Sequence, residues 1–311
     1  MRTMPLFLGL DCGGSSTRAL VLDDAMRTVF EGRGGPANLS STPLGTVRAS
    51  VSEATNGCPP VDAVVGCFAG LLGAEKRAMA LDLLKEIAPG SKRGCHADYV
   101  APLGLSRSMN RVVVTAGTGS VVSSWGEQDP VKSLGGGPLL GDDGSAFDVA
   151  RQVIRGLCVL ANKSLPCALL SEALEIELGS SDIESLPAVI AGLTSPARSL
   201  GRLCPVIGRL AREGDALCDE AVQRSMDRLC GHVVAHCDRY LRDEASVDVV
   251  MTGGLWLAHD VFEASFRKSM ERVQATSDPI APFSRQYHVE RLSDPPVLGA
   301  AQLAMNLFYG H

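Results

Sequence analysis

The chain has 311 residues, of which 45% are hydrophobic and 21% charged, so it is long enough to bury a core in each of two domains. Its 29 basic residues are outnumbered by 35 acidic ones, and the net charge of -6 argues against a protein that neutralises phosphates along a nucleic-acid duplex. The ten cysteines are scattered without any CxxC spacing, and the opening residues resemble neither a secretion signal nor a membrane span. These features predict a globular protein of the reducing cytoplasm that binds neither nucleic acid nor membrane.

Residues 7–23 have the pattern of a β-hairpin, because two apolar runs flank the turn Asp11-Cys12-Gly13-Gly14-Ser15-Ser16-Thr17. Glycines bring backbone N–H groups close to a ligand and the hydroxyl side chains add donors, which suits phosphate oxygens. The turn lacks the GxxxxGK[ST] frame of a P-loop, and the apolar run that follows it favours a strand over the helix of a Rossmann fingerprint. An ordinary glycine turn remains the alternative for this segment taken alone.

From residue 27 to residue 99 strands alternate with helices, which predicts α/β layering. The predicted elements are a strand over 27–32, a helix over 44–56, a strand over 61–70, a helix over 75–87 and a strand that ends at Asp98. Open α/β sheets bind ligands at the carboxyl ends of their strands, so Asp98 is a candidate site residue, although it would serve equally well as the N-cap of a helix over 99–109. Asn38 follows a glycine-rich break and is either a reader of sugar hydroxyls or a turn residue.

Residues 111–125 have the same pattern as the opening hairpin, with the turn Gly117-Thr118-Gly119-Ser120 between two apolar runs. Two such hairpins predict two related halves that hold a nucleoside triphosphate from both sides. The glycine-dense loop 134–145 follows, and Asp142-Asp143 lies just before an amphipathic helix over 147–161. Carboxylates there meet the helix dipole favourably, but a paired-acid loop is also a good place to bind hydroxyl groups.

The chain then reads as mostly helical from Ser164 to about Tyr240, with breaks at three prolines, Pro187, Pro196 and Pro205. His232 and His236 are four residues apart and could hold a metal from one helix face, although their apolar neighbours favour an ordinary packed helix. A buried strand over 247–256 contains the glycine pair Gly253-Gly254, and it is followed by a helix over 259–270 and a closing helix of small residues over 295–305. Glycines after a strand would let a flat base or ribose lie on the backbone.

In this order and at these separations, DCGGSST, TAGTGS, GGGPLLGDDGS and VVMTGG resemble the motifs of the sugar-kinase, actin and heat-shock chaperone superfamily. Within it the chain is most similar to the N-acetylglucosamine kinases, which group with the BadF-type ATPases. The resemblance implies an α/β fold with two ribonuclease H-like (actin-type) domains, whose mixed sheets flank an ATP-binding cleft. The implied domains are residues 1–116, joined by the closing helix at about 295–311, and residues 117–294.

The resemblance also implies roles for residues. Asp11 would hold Mg²⁺ through water, Asp98 would be the catalytic base, and ATP would be bound by Gly13, Gly14, Ser15, Ser16, Thr17, Gly117, Thr118, Gly119, Ser120, Gly253 and Gly254. The sugar would be bound by Asn38, Asp98, Thr118, Gly136, Gly137 and Asp142. The implied reaction is transfer of the ATP γ-phosphate to the 6-hydroxyl of an amino sugar by a homodimer.

Three departures from the family pattern make the sugar the open question. Cys12 stands where many relatives have glycine, Ala97-Asp98-Tyr99 replaces Thr-Asp-Ala, and Gly136 stands where N-acetylglucosamine kinases often have a tryptophan beside the sugar. Loss of that ring removes apolar surface, so N-acetylglucosamine, glucosamine and N-acetylmuramic acid all stay open as acceptors. An ATPase that drives a partner enzyme, as activators of 2-hydroxyacyl-CoA dehydratases do, and a non-catalytic sensor are the other hypotheses.

Overall fold

The computed structural model of the chain describes residues 4–106, 108–160, 167–276 and 285–310. Its contacts divide into a first unit, Met1–Ser108 with Ser293–His311, and a second unit, Met109–Leu292. The start of the predicted helical segment at Ser164 lies outside the described residues, as do Met1 and His311 at the ends of the predicted first domain. No helix in the described parts of the chain combines the length and the apolar character that crossing a membrane requires.

The elements follow one another in two similar series. Up to residue 108 they are β1 Leu6–Cys12, β2 Thr17–Asp23, β3 Thr28–Gly34, α1 Leu44–Ala54, β4 Ala63–Phe68, α2 Gly73–Ile87, β5 Lys92–Ala97 and α3 Val100–Leu103. The second unit contains β6 Arg111–Ala116, β7 Ser120–Trp125, β8 Pro130–Leu134, α4 Gly137–Leu140, α5 Ala146–Leu160, α6 Ala168–Leu178, α7 Leu186–Gly192, α8 Pro196–Gly201, α9 Cys204–Arg212, α10 Ala216–Tyr240, β9 Ser246–Thr252, α11 Leu255–Ala258, α12 Asp260–Thr276 and β10 Gln286–Arg291. The last element, α13 Pro296–Tyr309, returns to the first unit.

The first unit is built on a five-stranded sheet of order β3-β2-β1-β4-β5. β1, β2 and β3 form an antiparallel meander, whereas β4 and β5 add in parallel to β1. α13 packs so closely against β1 that a Cβ on Gly9 would lie 2.2 Å from the backbone nitrogen of Ala301. Glycine is therefore the residue that lets the closing helix reach this sheet.

The second unit repeats that topology strand for strand, in the order β10-β9-β6-β7-β8. Its first three strands are again an antiparallel meander, and its last two again add in parallel. The core on this sheet is larger because the helices α5 to α10 and α12 pack on it. The two ribonuclease H-like domains, which the family resemblance implied, and the relation between the halves, which the repeated hairpin predicted, are thus confirmed.

Some predicted details differ from the structure. The predicted boundary at residue 116 would leave β6 in the first domain, but β6 pairs with β7 and β9 in the second sheet, so the division lies earlier. The three prolines stand at the first or second residue of α7, α8 and α9, so they begin helices. The strands β8 and β10 were not predicted, because neither contains a strong apolar run and all of their residues are half-buried or exposed.

Candidate functional site

Asp11 and Asp98 come together at the carboxyl ends of β1 and β5. In the sheet register Asp11 lies beside Cys67 of β4, and Cys67 lies beside His96 of β5. Asp98 is two residues beyond His96 and its N–H continues the ladder to the carbonyl oxygen of Phe68 at 3.1 Å. Because side chains alternate along a strand, the two carboxylates share one face of the sheet.

Their proximity changes the protonation of Asp11. Burial and, to a smaller extent, the charge of Asp98 raise the pKa of the Asp11 carboxyl, and the guanidinium of Arg18 opposes the rise. The net result is a pKa of about 6 instead of the ordinary 3.8. Arg18 lies directly opposite Asp11 in the β1–β2 pairing. Two half-buried like charges with one cation beside them leave negative potential at this edge, which favours a bound cation.

Asp98 precedes a helix of only four residues, α3, whose N-cap is Tyr99. One of its carboxylate oxygens accepts the N–H of Tyr99 at 3.1 Å, and its carbonyl oxygen accepts the N–H of Ala101 at 3.1 Å. The long helix over 99–109 that would have used Asp98 as its N-cap is therefore absent from this described segment.

In the turn of the first hairpin some donors form hydrogen bonds within the protein, and other residues are exposed to solvent. The N–H of Gly13 closes the turn on the carbonyl oxygen of Ser16 at 2.9 Å, and the buried Thr17 hydroxyl donates to the carbonyl oxygen of Gly35 at 2.9 Å. Gly14, Ser15 and Ser16 are exposed. The exposed residues are thus the ones placed to meet a ligand, while Gly13 and Thr17 fix the shape of the turn.

Asn38 is a turn residue, and its side chain also keeps a group with which it could bind a sugar hydroxyl. Its Oδ1 accepts the N–H groups of Ser40 at 2.8 Å and Ser41 at 3.1 Å, which is the pattern of an Asx turn. A Cβ placed on Gly14 would lie 4.0 Å from its Nδ2, so the amide end is directed to the hairpin turn. The side chain therefore presents a donor, whose orientation the turn fixes.

The turn of the second hairpin is built in the same way. The N–H of Gly117 closes the turn on the carbonyl oxygen of Gly119 at 2.8 Å. Ser120 is buried, its N–H donates to Asp142 Oδ1 at 3.2 Å and its hydroxyl donates to the carbonyl oxygen of Asp143 at 2.7 Å. Thr118 is exposed. Ser120 consequently ties the hairpin to the acidic loop, and Thr118 is the residue free to face a ligand.

Asp142 is held in an unfavourable conformation. Its φ of 61° lies in the left-handed region, which few residues other than glycine adopt, and its side chain is buried. Burial raises the pKa of its carboxyl and the N–H of Ser120 opposes the rise. Backbone strain of about 1–3 kcal/mol of this kind collects at functional sites, where the surrounding structure imposes it.

The loop before Asp142 has an unusual backbone and an apolar tip. Gly135, Gly136 and Gly137 all have positive φ, of 73°, 115° and 81°, which three successive residues with side chains would not adopt. Leu139 and Leu140 follow in α4 and are 92% and 91% exposed. The loop thus presents both backbone groups and apolar surface.

Gly253 and Gly254 lie where β9 ends beside the end of β6. Gly253 has a φ of 107°, and a Cβ on it would lie 2.2 Å from the carbonyl oxygen of Ala116. The backbone nitrogen of Gly254 is 3.8 Å from the position of a Cβ on Gly117. The glycine pair and the second hairpin turn therefore form one surface of bare backbone.

A buried ion network, which the sequence analysis did not identify, holds the acidic loop. Asp148 is 1% exposed and accepts the N–H of Gly144 at 3.0 Å and the guanidinium of Arg228 at 2.9 Å. Arg228 also pairs with Asp143 at 3.3 Å, and His232 contacts the same carboxylate at 3.0 Å. The only sequence signal for this network was an acidic residue, Asp148, in the first turn of α5, and a favourable interaction with the helix dipole already explains an acidic residue there.

His236 has a structural role. It is fully buried, with Nε2 3.0 Å from the Ser124 hydroxyl and Nδ1 2.8 Å from the Ser133 hydroxyl. Burial lowers the pKa of its imidazole to about 4. No cluster of three or more metal-ligating side chains occurs in the described segments. His232 and His236 lie on one helix but have different partners, since His232 contacts Asp143 and His236 contacts two serines.

The repeated topology also shows where the halves differ. Thr115 occupies in β6 the position that Asp11 occupies in β1, one residue before the last of the strand. Its hydroxyl oxygen is buried with no hydrogen-bond partner among the described residues. The carboxylate of the first unit is thus replaced by a neutral hydroxyl in the second.

The fold is shared with solved sugar-kinase structures. A candidate N-acetylglucosamine kinase from Chromobacterium violaceum is 20% identical with a TM-score of 0.68, and one from Porphyromonas gingivalis is 19% identical with a TM-score of 0.69; each match covers 97% of this chain and 99% of the other. A ROK family glucokinase from Streptomyces griseus, in complex with glucose and AMPPNP, is 16% identical with a TM-score of 0.59 over 97% of this chain and 99% of its own. A search of curated proteins by sequence finds no match.

A sequence model of the BadF/BadG/BcrA/BcrD ATPase family matches residues 8–160. This segment contains both glycine hairpins, Asp11, Asp98 and the acidic loop. Over these residues the chain is similar to that family.

Proposed function

We propose that the chain is an ATP-dependent kinase that transfers the γ-phosphate to the 6-hydroxyl of an amino sugar, with N-acetylglucosamine as the acceptor. The observation that carries the proposal is the pair Asp11 and Asp98, which share a sheet face and influence each other's charge. Phosphoryl transfer to a hydroxyl needs one carboxylate that accepts the hydroxyl proton and negative charge that retains a divalent cation. In this proposal Asp98 is the base and Asp11 holds Mg²⁺ through water.

The residues present fit a nucleotide with Mg²⁺. Gly14, Ser15, Ser16, Thr118 and Gly119 supply phosphate donors from turns whose shape is fixed by their own hydrogen bonds, and Gly253 with Gly254 offers bare backbone to the nucleoside. Mg²⁺ would neutralise charge on the transferring phosphate. Asp142 and the amide of Asn38 would orient the sugar hydroxyls, with the backbone of Gly136 and Gly137 beside them, which positions the acceptor for transfer.

The choice of an amino sugar rests on the named relatives and on the loop 134–145. Both candidate N-acetylglucosamine kinases share the fold. The exposed Leu139 and Leu140 supply apolar surface in the loop that lacks the tryptophan, and an acetyl methyl group is a suitable partner for it. A homodimer, which the family resemblance implies, stays a prediction.

The first test is ADP release from Mg-ATP with N-acetylglucosamine, glucosamine, N-acetylmannosamine, N-acetylmuramic acid and glucose. We expect N-acetylglucosamine to stimulate release most, with the 6-phosphate identified by mass spectrometry. Equal stimulation by glucosamine would refute the need for the acetyl group, and stimulation by glucose alone would refute the amino-sugar acceptor.

The role of Asp98 has its own test. Asp98→Asn should reduce turnover by about 100-fold or more while leaving ATP binding intact, because it removes a general base and little else. The matched control is Asp82→Asn, an exposed carboxylate on α2 in the same unit, which should keep full turnover. Unchanged turnover in Asp98→Asn would refute the proposed base.

A second candidate function follows from the family model, whose description names ATPases. In that case the chain would hydrolyse ATP to drive a partner enzyme, and ADP release would not depend on any sugar. The same assay separates the two, because sugar-independent hydrolysis favours the partner-driving ATPase. Absence of hydrolysis under every condition would instead support a sensor that has kept the fold.

A further inference from the structure

A cavity of about 450 Å³ opens between α5 and α10 in the second unit, and none of its lining residues belongs to the second hairpin turn or to the loop 134–145. The helices touch at Gly156, where a Cβ would lie 2.2 Å from a methyl carbon of Leu217. Four arginines line the cavity, Arg151 and Arg155 from α5 and Arg224 and Arg228 from α10. Cavities of roughly 300–1,000 Å³ are the size of small-molecule sites.

The four guanidinium groups have fewer carboxylate partners than they need. Arg151 and Arg228 share the buried carboxylate of Asp148, with oxygen–nitrogen distances of 2.8 and 2.9 Å. Arg228 also contacts Asp143, and Arg224 pairs with Glu220.

Arg155 has no acidic partner in the described part of the chain. The four guanidinium groups therefore carry one positive charge more than the three carboxylates of Asp143, Asp148 and Glu220 can balance. Each guanidinium has five N–H donors, so many of them point to solvent or to the cavity.

The rest of the lining is partly apolar. It consists of Gly156, Val159, Leu217 and Ala221 together with the polar Gln152 and Glu220, and Val159 is 76% exposed. Arginine forks match the oxygens of phosphate, and an apolar wall beside them suits the organic part of an ester. This combination fits a small phosphate ester better than a bare inorganic anion, which would leave the apolar wall unused.

We propose that the cavity between α5 and α10 is a second binding site, specific for a phosphate monoester, with Arg155 and Arg224 as its anion-binding residues. Arg151 and Arg228 also line the cavity and are already engaged with Asp148. No proposed kinase residue is among those that line the site, so its occupation does not require the reaction.

The test measures binding of phenyl phosphate and of inorganic phosphate by isothermal titration calorimetry, with a non-hydrolysable ATP analogue and Mg²⁺ saturating the proposed nucleotide site. We expect phenyl phosphate to bind the intact protein at least about 10-fold more tightly than inorganic phosphate, because it uses the apolar wall. The double variant Arg155→Gln/Arg224→Gln should lose at least 10-fold in affinity for phenyl phosphate.

The matched control is Arg239→Gln, which removes an exposed arginine at the other end of α10 and should leave the affinity unchanged. Both removed arginines are exposed, so the double variant is expected to fold, and tryptophan fluorescence with circular dichroism verifies that it does. Equal affinity of the intact protein and the double variant would overturn the proposal. Complete block of phenyl phosphate binding by the ATP analogue would overturn it as well, since binding would then occur at the nucleotide site.

Discussion

The buried imidazole of His236 should make the stability of the second unit depend on pH. Burial lowers its pKa from 6.5 to about 4, so the unfolded chain binds a proton that the folded chain does not between these values. Stability is therefore complete above pH 6.5 and is lost as the pH falls toward 4. At 1.36 kcal/mol for each pKa unit the full loss is about 3 kcal/mol, of which about 2 kcal/mol has been lost by pH 5.

The assay is urea unfolding followed by tryptophan fluorescence at pH 7.5 and pH 5. It reports on the second unit, because both tryptophans, Trp125 and Trp256, belong to it. His236→Gln should weaken the wild-type pH dependence by about 2 kcal/mol over this interval, whereas His288→Gln, at an exposed position on β10, should not alter it. Identical pH dependence in wild type and His236→Gln would refute the reasoning.

Two further predictions concern the first unit. Gly9→Ala should lower the free energy of unfolding by about 3 kcal/mol or more, because the new Cβ would lie 2.2 Å from a backbone atom. Gly45→Ala in α1 is the control and should be nearly neutral, because no atom lies within 4 Å of the new Cβ. Urea unfolding followed by circular dichroism measures both changes. Asp98→Asn should lower the pKa of Asp11 from about 6 toward, but not to, 3.8, because burial remains as its largest cause. A carboxyl ¹³C NMR titration without nucleotide or metal measures this pKa. The same Asp11 pKa in wild type and in Asp98→Asn would show that the two carboxylates do not interact.

The sequence predicted the elements whose physical signals are local. The hairpins over 7–23 and 111–125 have apolar runs around glycine turns, and they are confirmed as β1–β2 and β6–β7. Repetition of that signal was enough to predict two related halves. The strands β8 and β10 give weaker signals, because each lies at a sheet edge, where one side lacks a neighbour and the apolar pattern fades.

The site was predictable as a set of residues but not as an arrangement. Asp11 and Asp98 were singled out individually, yet only the parallel register through β4 brings them to one face. The engagement of Ser120 with the acidic loop and the salt bridge between Asp148 and Arg228 join residues 22 and 80 positions apart. Such long-range pairing leaves no local pattern, so a single sequence could not disclose it.

The return of α13 to the first sheet has a consequence for synthesis on the ribosome. The second unit is continuous in sequence, whereas the first lacks the helix that covers Gly9 until the last residues of α13 are made. The strands made first must therefore wait, with part of the β1 surface open, while the later-made unit completes its core. A chain that ends at Leu292 and has been released from the ribosome should accordingly present a folded second unit and an incomplete first one, and chaperones should bind it through the uncovered sheet.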